Sequence, residues 1–252
     1  MQIIPVIDLL GGVVVHAKQG ARQSYQPIQS QLTPSHQALD IVAALLKVYP
    51  FRQLYIADLN AIQKTSGIYS NNYSVIAEIK QHYPALIIWV DAGISNPSEL
   101  DIWHMSGVNL VIGSESFTKL DDYLVIKNLL QDHFMLSIDF MSQGYVGPIE
   151  LLENAQLWPK DVIVMSLANV GAHLGVNTDL VSTIQQSAPQ QRIYAAGGVR
   201  HIEDLNLLRE MGVYGALVAS ALHQKQITPA QLLSLNSPHL NLQHSGTLPQ
   251  NT

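Results

Sequence analysis

The 252-residue sequence has no cysteine. That excludes a disulfide scaffold, thiol catalysis, thiolate metal sites and iron–sulfur clusters. Charge is scarce as well, at 13% of residues, and with a mean hydropathy of +0.13 the chain is too apolar to stay disordered. Positive charge is the scarcer sign: 13 Lys and Arg stand against 19 Asp and Glu, a net charge of −6. This balance lacks the electrostatic footprint of a nucleic-acid binder, so no nucleic-acid partner is expected. No apolar run reaches the ~18 residues of a membrane span. Residues 1–8 show neither a basic region nor a small-residue cleavage site, so a cytoplasmic protein without a membrane partner is the expectation. The ten histidines include no His-Glu-x-x-His spacing, and there is no Walker loop, Gly-x-Ser-x-Gly elbow or Gly-x-Gly-x-x-Gly fingerprint. Neither a metal nor another cofactor is expected. His16 and His173 read as loop residues, and Trp89, Trp103 and Trp158 as packing residues.

What the chain does have is a regular alternation. Short apolar runs at 3–7, 53–57, 86–90, 110–112, 135–138, 162–165, 192–195 and 216–218 are near-continuous, as strands buried on both faces are. Helical spacing separates them. In 35–48, Ala38, Ile41, Val42, Leu45 and Leu46 follow the i, i+3, i+4 rule, and 202–211 carries Leu205, Leu207, Leu208 and Met211. Eight strands alternating with helices predict an α/β fold, a (β/α)8 TIM barrel, with an open doubly wound sheet as the competing arrangement. The expected organisation is one barrel domain over 1–235 and a polar, aperiodic tail over 236–252.

The sequence also repeats itself. Asp91-Ala92-Gly93-Ile94-Ser95 matches Ala196-Gly197-Gly198-Val199-Arg200 at an offset of 105 residues, and Gly107 matches Gly212 at the same offset. Segments beginning at Pro97 and His201 are each expected to open a helix. Asp8 and Asp139 both end apolar runs. Two duplicated half-barrels account for these matches.

Active sites of such barrels lie at the carboxyl ends of the strands. The residues there include Asp8, Asp58, Asp91, Gly113-Ser114-Glu115, Asp139, Ser166 with Asn169, Gly197-Gly198 and Ser220. Asp8 and Asp139, at matching places in the two halves, suit a proton shuttle in which one acid removes a proton and the other delivers one. Their competing role is loop anchoring. Asp58, Asp91 and Glu115 are further pocket acids, each able instead to cap a helix. Gly197 and Gly198, between a strand and a helix, have the form of a phosphate cradle, with Ser220 beside them. Gly93, Gly113 and Ser114 suggest a second, poorer cradle. Two cradles imply a small phosphorylated sugar-type substrate with a phosphate at each end.

Ile3-Ile4-Pro5-Val6-Ile7-Asp8-Leu9, Gly11-Gly12-Val13-Val14, Gln19-Gly20, Ala57-Asp58-Leu59 with Ala61 and Gly67, and Ala196-Gly197-Gly198-Val199 with Glu203-Asp204-Leu205 resemble the phosphoribosylformimino-aminoimidazole carboxamide ribotide isomerase of histidine biosynthesis. The resemblance runs to about His223. It implies a half-barrel duplication, two phosphate sites and an Amadori rearrangement of an aminoaldose to an aminoketose, with Asp8 as base and Asp139 as acid. Three motifs depart from that family. Its sixth-strand Thr-Asp-Ile-x-x-Asp-Gly is Met165-Ser166-Leu167-Ala168-Asn169-Val170-Gly171 here. Its third-strand Gly-Gly-Gly-Ile-Arg is Asp91-Ala92-Gly93-Ile94-Ser95, and its eighth-strand Gly-(Arg/Lys)-Ala-Leu is Ala219-Ser220-Ala221-Leu222. Gly147-Pro148-Ile149-Glu150-Leu151-Leu152 and Gly113-Ser114-Glu115-Ser116, with the sixth-strand run, resemble instead a diverged isomerase-like branch. That branch accompanies genes for a methanopterin-type one-carbon cofactor. Weak turnover of the histidine-pathway aminoaldose follows as an expectation. The alternatives are an enzyme of one-carbon cofactor metabolism acting on another phosphoribosyl compound, and a binding barrel that has lost catalysis.

Overall fold

A computed structural model describes residues 1–17, 21–64, 70–103, 106–170 and 175–235. The expected tail, His173, Gln19, Gly20, Gly67 and Gly171 lie outside these residues. Eight parallel strands close into a barrel: β1 (Gln2–Leu10), β3 (Gln53–Asp58), β4 (Ile87–Asp91), β5 (Asn109–Gly113), β6 (Met135–Met141), β8 (Asp161–Ser166), β9 (Arg192–Ala196) and β10 (Gly215–Val218). Closure is the pairing of β10 with β1, Gln2 opposite Gly215. The open-sheet alternative is thereby excluded. All eight runs read from the sequence lie within or overlap these strands.

Helices cover the outside. The long ones are α1 (Ala38–Val48), α3 (Tyr73–His82), α4 (Leu120–Leu130), α6 (Thr178–Ser187) and α7 (Ile202–Glu210). In α1, Ile41 and Leu45 fall one turn apart and join a single core with Ile7 and Ile56 of the strands. Burial of each such side chain contributes about 1.5–3 kcal/mol. Where no apolar stripe continues, the ends are held by side chains: Asn177 accepts the Leu180 N–H at 3.1 Å and so caps α6. One expected helix is absent. Pro97–Glu99 and Asp101–Trp103 are separate 3-10 turns, and Leu100 and Trp103 are both buried in the core.

The barrel's interior holds a second cluster, built from Ile4, Tyr55, Trp89, Val111, Ile163, Tyr194 and their neighbours. Trp89 and Tyr194 meet edge-to-face at 5.2 Å across the barrel. This plug fills the lower part of the barrel, so any cavity has to open above it, at the carboxyl ends.

Two further strands appear that the sequence reading did not single out. β2 (Val13–Val15) folds back on β1 with Asp8 opposite Val15. β7 (Gly144–Val146) folds back on β6 with Asp139 opposite Val146. The two hairpins have the same register at an offset of 131 residues, so each paired aspartate sits in a duplicate of the other's backbone. The offset shrinks to 105 by the glycine turns because the first half is longer. Most of the excess is the segment between β2 and α1, residues 16–37, whose described parts, 16–17 and 21–37, put Ala17, Arg22 and Tyr25 at the mouth of the barrel. We call this segment the strap. It is tied down by the His16 N–H on the Gln26 carbonyl, the Ile28 N–H on the Val14 carbonyl and the Gln31 N–H on the His223 carbonyl, each at 2.9 Å.

Candidate active site

Above the interior plug a cavity opens to solvent. Strand register decides what faces it. Paired residues of parallel neighbours share a face. Asp8 pairs with Ala57 and Ala57 with Asp91, giving one inward row. Asp139 pairs with Met165 and Met165 with Ala196, giving the matching row of the second half. Asp8, Asp91, Asp139 and Glu115 all line the cavity.

Asp58 does not. It is one residue past Ala57 and therefore points outward. There it is fully buried, accepting the Ala61 N–H at 3.2 Å, the Asn72 N–H at 2.6 Å and the Asn72 Nδ2 at 2.6 Å. This is the helix-capping role, not a pocket acid.

The cavity acids are held differently from one another. Asp139, 3% exposed, accepts from Ser137 Oγ at 2.6 Å, from the Glu115 N–H at 3.1 Å and from Ser114 Oγ at 3.3 Å. Burial, with Glu115 and Asp91 nearby, pushes its carboxyl up to about 8. Asp8 is half-buried at the cavity wall, and burial raises it to about 7 against the opposing Arg22 charge. Asp91 accepts the Gly93 N–H at 2.9 Å and, over 3.4 Å, the Tyr55 hydroxyl. Burial and Glu115 bring it to about 6 despite Gly93 and Arg22. Glu115 forms an ion pair with Arg22 of the strap. A Cβ at Gly113 would lie 3.1 Å from Asp139 Oδ2 and 3.6 Å from Asp91 Oδ2. Gly113 thus makes room for two converging carboxyls.

The two expected cradles turn out unlike. Gly197 and Gly198 line the cavity with Arg200 and Ser220. Their φ angles are +93° and +91°, and a Cβ would overlap the Ser166 carbonyl oxygen at Gly197 and the Gly175 carbonyl oxygen at Gly198. The glycines are therefore required by close packing against the backbone at the end of β8 and at Gly175, in addition to any ligand. Among the described residues no carbonyl or carboxylate takes the N–H of Gly198, Val199 or Ser220, whereas the Arg200 N–H is held by Asp204 at 2.8 Å.

Gly93, Gly113 and Ser114 form no such cradle and do not line the cavity. A Cβ at Gly93 would come 2.6 Å from Ile62 Cα, so that turn is filled by α2 (Leu59–Ile62). Ser114 is fully buried and donates to the Val146 carbonyl at 2.7 Å. The amides of this half go to the protein's own carboxylates: Gly93 to Asp91, Glu115 to Asp139, and Ser95 to Glu99 at 2.7 Å.

Several cavity residues escaped the sequence reading. Arg22 and Tyr25 lie on the strap, whose place at the mouth no periodicity encodes. Tyr55 was legible in principle, two residues before Ala57 on the same face. His16 sits at the neighbouring smaller cavity, with Nε2 3.3 Å from Ser220 Oγ. His223, which burial drives down to about 4, lies below it with Nδ1 3.1 Å from Ser30 Oγ. The divergent sixth-strand run does face the site: Met165, Leu167, Asn169 and Val170 line it. Among the described residues no group of three or more His, Asp or Glu is arranged to hold a metal ion. No helix among them is long and apolar enough to cross a membrane.

Comparison with known proteins agrees with this architecture. An uncharacterized protein of Methanocaldococcus jannaschii is 26% identical over 227 residues, covering 89% of this chain and 94% of that protein. A 1-(5-phosphoribosyl)-5-((5-phosphoribosylamino)methylideneamino) imidazole-4-carboxamide isomerase of Leuconostoc mesenteroides is 26% identical over 244 residues, 91% of this chain and 98% of that one. The isomerase of the same name from Lacticaseibacillus casei is 27% identical over 247 residues, 92% and 98%. The model of the family described as histidine biosynthesis protein matches residues 2–228. With its closed barrel, its duplicated aspartate hairpins and this match along nearly its whole length, the chain belongs to the histidine biosynthesis protein family.

Proposed function

We propose that the protein is an intramolecular aldose–ketose isomerase acting on a phosphorylated sugar-type compound, with Asp8 as base and Asp139 as acid. The observation that carries this reading is the placement of both aspartates in duplicate hairpins on opposite sides of one cavity, which also contains an amide-rich turn. Asp139, held up to about 8, retains its proton at neutral pH and is the acid. It protonates the ring oxygen of an aminoaldose as the C1–O bond breaks and the nitrogen lone pair forms C1=N. Asp8, at about 7, then takes the proton from C2 to give the enolamine, which becomes the ketone as Asp8 returns its proton to C1 and the C2 hydroxyl gives up its proton to the Asp139 carboxylate. A base near the working pH is the efficient choice for such a transfer.

The phosphate is assigned to the turn at Gly197 and Gly198, with Ser220 beside it. The amides there have no acceptor among the described residues, and α7 adds the positive end of its dipole. His16, within reach of Ser220, supports the same end. The relatives' printed name describes a compound with two phosphoribosyl groups. Here the corresponding second turn is filled by protein carboxylates, so we assign the chain a different substrate within the class. Phosphate titration followed by amide NMR tests the cradle: shifts at Gly198 and Ser220 are expected, and shifts confined elsewhere would reject it. Expression in a strain lacking the histidine-pathway isomerase tests the substrate. Little or no growth without histidine is expected; robust growth abolished by Asp8→Asn would establish the plain histidine-pathway activity instead.

A further inference from the structure

The turns after β4 and β5 duplicate the turns after β9 and β10 at the constant offset of 105 residues, and their charges are reversed. Asp91 stands where the other half has Ala196, Ser95 where it has Arg200, and Glu115 where it has Ser220. One end of the cavity thus has open amides with a hydroxyl and a guanidinium that is paired with Asp204. The other has two carboxylates, with Asp139 beside them. Among the described residues that line the cavity Arg22 is the one cation at this acidic wall, and it is engaged by Glu115; Lys64, on the Gly93 carbonyl behind the turn, is paired with Glu99. Asp91 is only 7% exposed and lines the cavity; Oδ1 takes the Gly93 N–H at 2.9 Å, and among the described residues Oδ2 has one long partner, the Tyr55 hydroxyl at 3.4 Å. A carboxylate whose burial outweighs its partners, and which faces a cavity, is stabilised by a cation arriving from that cavity.

We infer that the substrate carries a phosphate at one end only, and that its other end presents a protonated nitrogen held between Asp91 and Glu115. This rests on the phosphate assignment of the opposite turn. A phosphate at the acidic end is excluded by charge and by occupancy. Each carboxylate about 5 Å away would weaken its binding roughly tenfold or more. The amides that would cradle it are already donated to Asp91, Asp139 and Glu99. An ammonium group meets neither obstacle, and its N–H groups fit the unfilled acceptor capacity of Asp91. The specificity-determining residues of this end are therefore Asp91 and Glu115, with Arg22 holding Glu115 at the wall.

Three probes of equal length isolate the far-end charge: aminohexyl phosphate, hexyl phosphate and hexane bisphosphate. Calorimetric titration of the full chain at pH 8 should give aminohexyl phosphate about tenfold tighter binding than hexyl phosphate, with hexane bisphosphate weaker than both. Asp91→Asn and Glu115→Gln, which preserve shape, should each erase most of the preference for the amine. Bisphosphate binding as tight as the aminoalkyl phosphate, or a preference unchanged in both variants, would overturn the inference. Hexylamine alone, followed at the amides of Gly113 and Glu115, separates this end from the other. Shifts there are expected whatever inorganic phosphate does at Gly198, and their absence would sink the amine site even if the phosphate turn is confirmed.

Discussion

In the first half of the barrel the inward row reads Asp8, Ala57, Asp91; in the second it reads Asp139, Met165, Ala196. The backbone around these rows is the same. Each aspartate lies in a hairpin of identical register. Each glycine turn after the third strand of its half is followed by an acid that takes the amide at the turn's end, Glu99 for Ser95 and Asp204 for Arg200. Gly107 and Gly212 adopt φ of +68° and +76° at the same step. The halves part at side chains that contribute nothing to closing the barrel. Scaffold residues are fixed by packing and backbone geometry, whereas positions facing the cavity are not held to one residue type by the closure of the barrel. The first half carries Asp91 and Glu115 at such positions, and Arg22 of the strap meets Glu115 there.

The comparison can be broken most decisively at the two aspartates that the halves share. Asp8→Asn and Asp139→Asn should each lower turnover by about 10²–10⁴-fold, the usual contribution of a positioned proton-transfer group, with circular dichroism unchanged. Loss of turnover in only one of them would leave the other as an anchor rather than a partner in proton transfer.

Next in size are the paired glycines. Gly198→Ala, whose Cβ would overlap the Gly175 carbonyl oxygen, should destabilise by several kcal/mol. Gly212→Ala, which meets nothing within 4 Å, should cost only the left-handed backbone penalty of about 1–2 kcal/mol. Urea unfolding midpoints measure both. Equal losses would mean that the loop at Gly175 moves aside.

The third effect depends on pH. Burial raises Asp91 to about 6 in the folded protein, from about 3.9 in the unfolded chain. The folded state then binds the proton more tightly, so deprotonation favours unfolding. The resulting penalty begins near pH 4 and is complete above pH 6. Asp91→Asn should therefore raise the melting temperature at pH 8, by about 1–3 kcal/mol of stability, and the gain should vanish by pH 4. The equivalent position in the other half, Ala196, titrates nothing. A gain that persists at pH 4 would show that packing, not charge, is responsible.

The smallest difference is expected between the acids that cap the turns. Burial pushes Glu99 and Asp204 up, but the Lys64 and Arg200 side chains with the capped amides outweigh it, leaving both carboxyls below their usual range. Their contribution is present above the unfolded pKa and lost as pH falls through the folded one. Glu99→Gln and Asp204→Asn should each cost about 1 kcal/mol at pH 7. Markedly unequal losses would mean that one turn no longer does the other's structural work.

Alternation of buried runs with amphipathic stretches was sufficient to predict the barrel, because a strand buried on both faces and a helix buried on one leave different periods in the sequence. The repeat of glycines at a constant offset exposed the duplication for a related reason: positive φ and tight backbone contact admit few other residues. Asp8 and Asp139 were legible as strand-end acids, although their hairpins were not, since β2 and β7 are three residues each and carry too short a pattern to read. Asp58 could not be told from Asp91 by type. Only register, a matter of one residue, turned the first outward to cap α2 and the second into the cavity. The cradle suggested by Gly93, Gly113 and Ser114 failed for a like reason: the sequence showed the glycines, while the folded chain decided that Ile62 and the carboxylates of Asp91 and Asp139 occupy the space and amides they would have offered. Arg22 reaches Glu115 across 93 positions of sequence. A contact made by a loop at the barrel mouth has no local signature, so the charge environment of the site belongs to the tertiary structure, whereas the frame that carries it was written in the order of apolar runs and glycines.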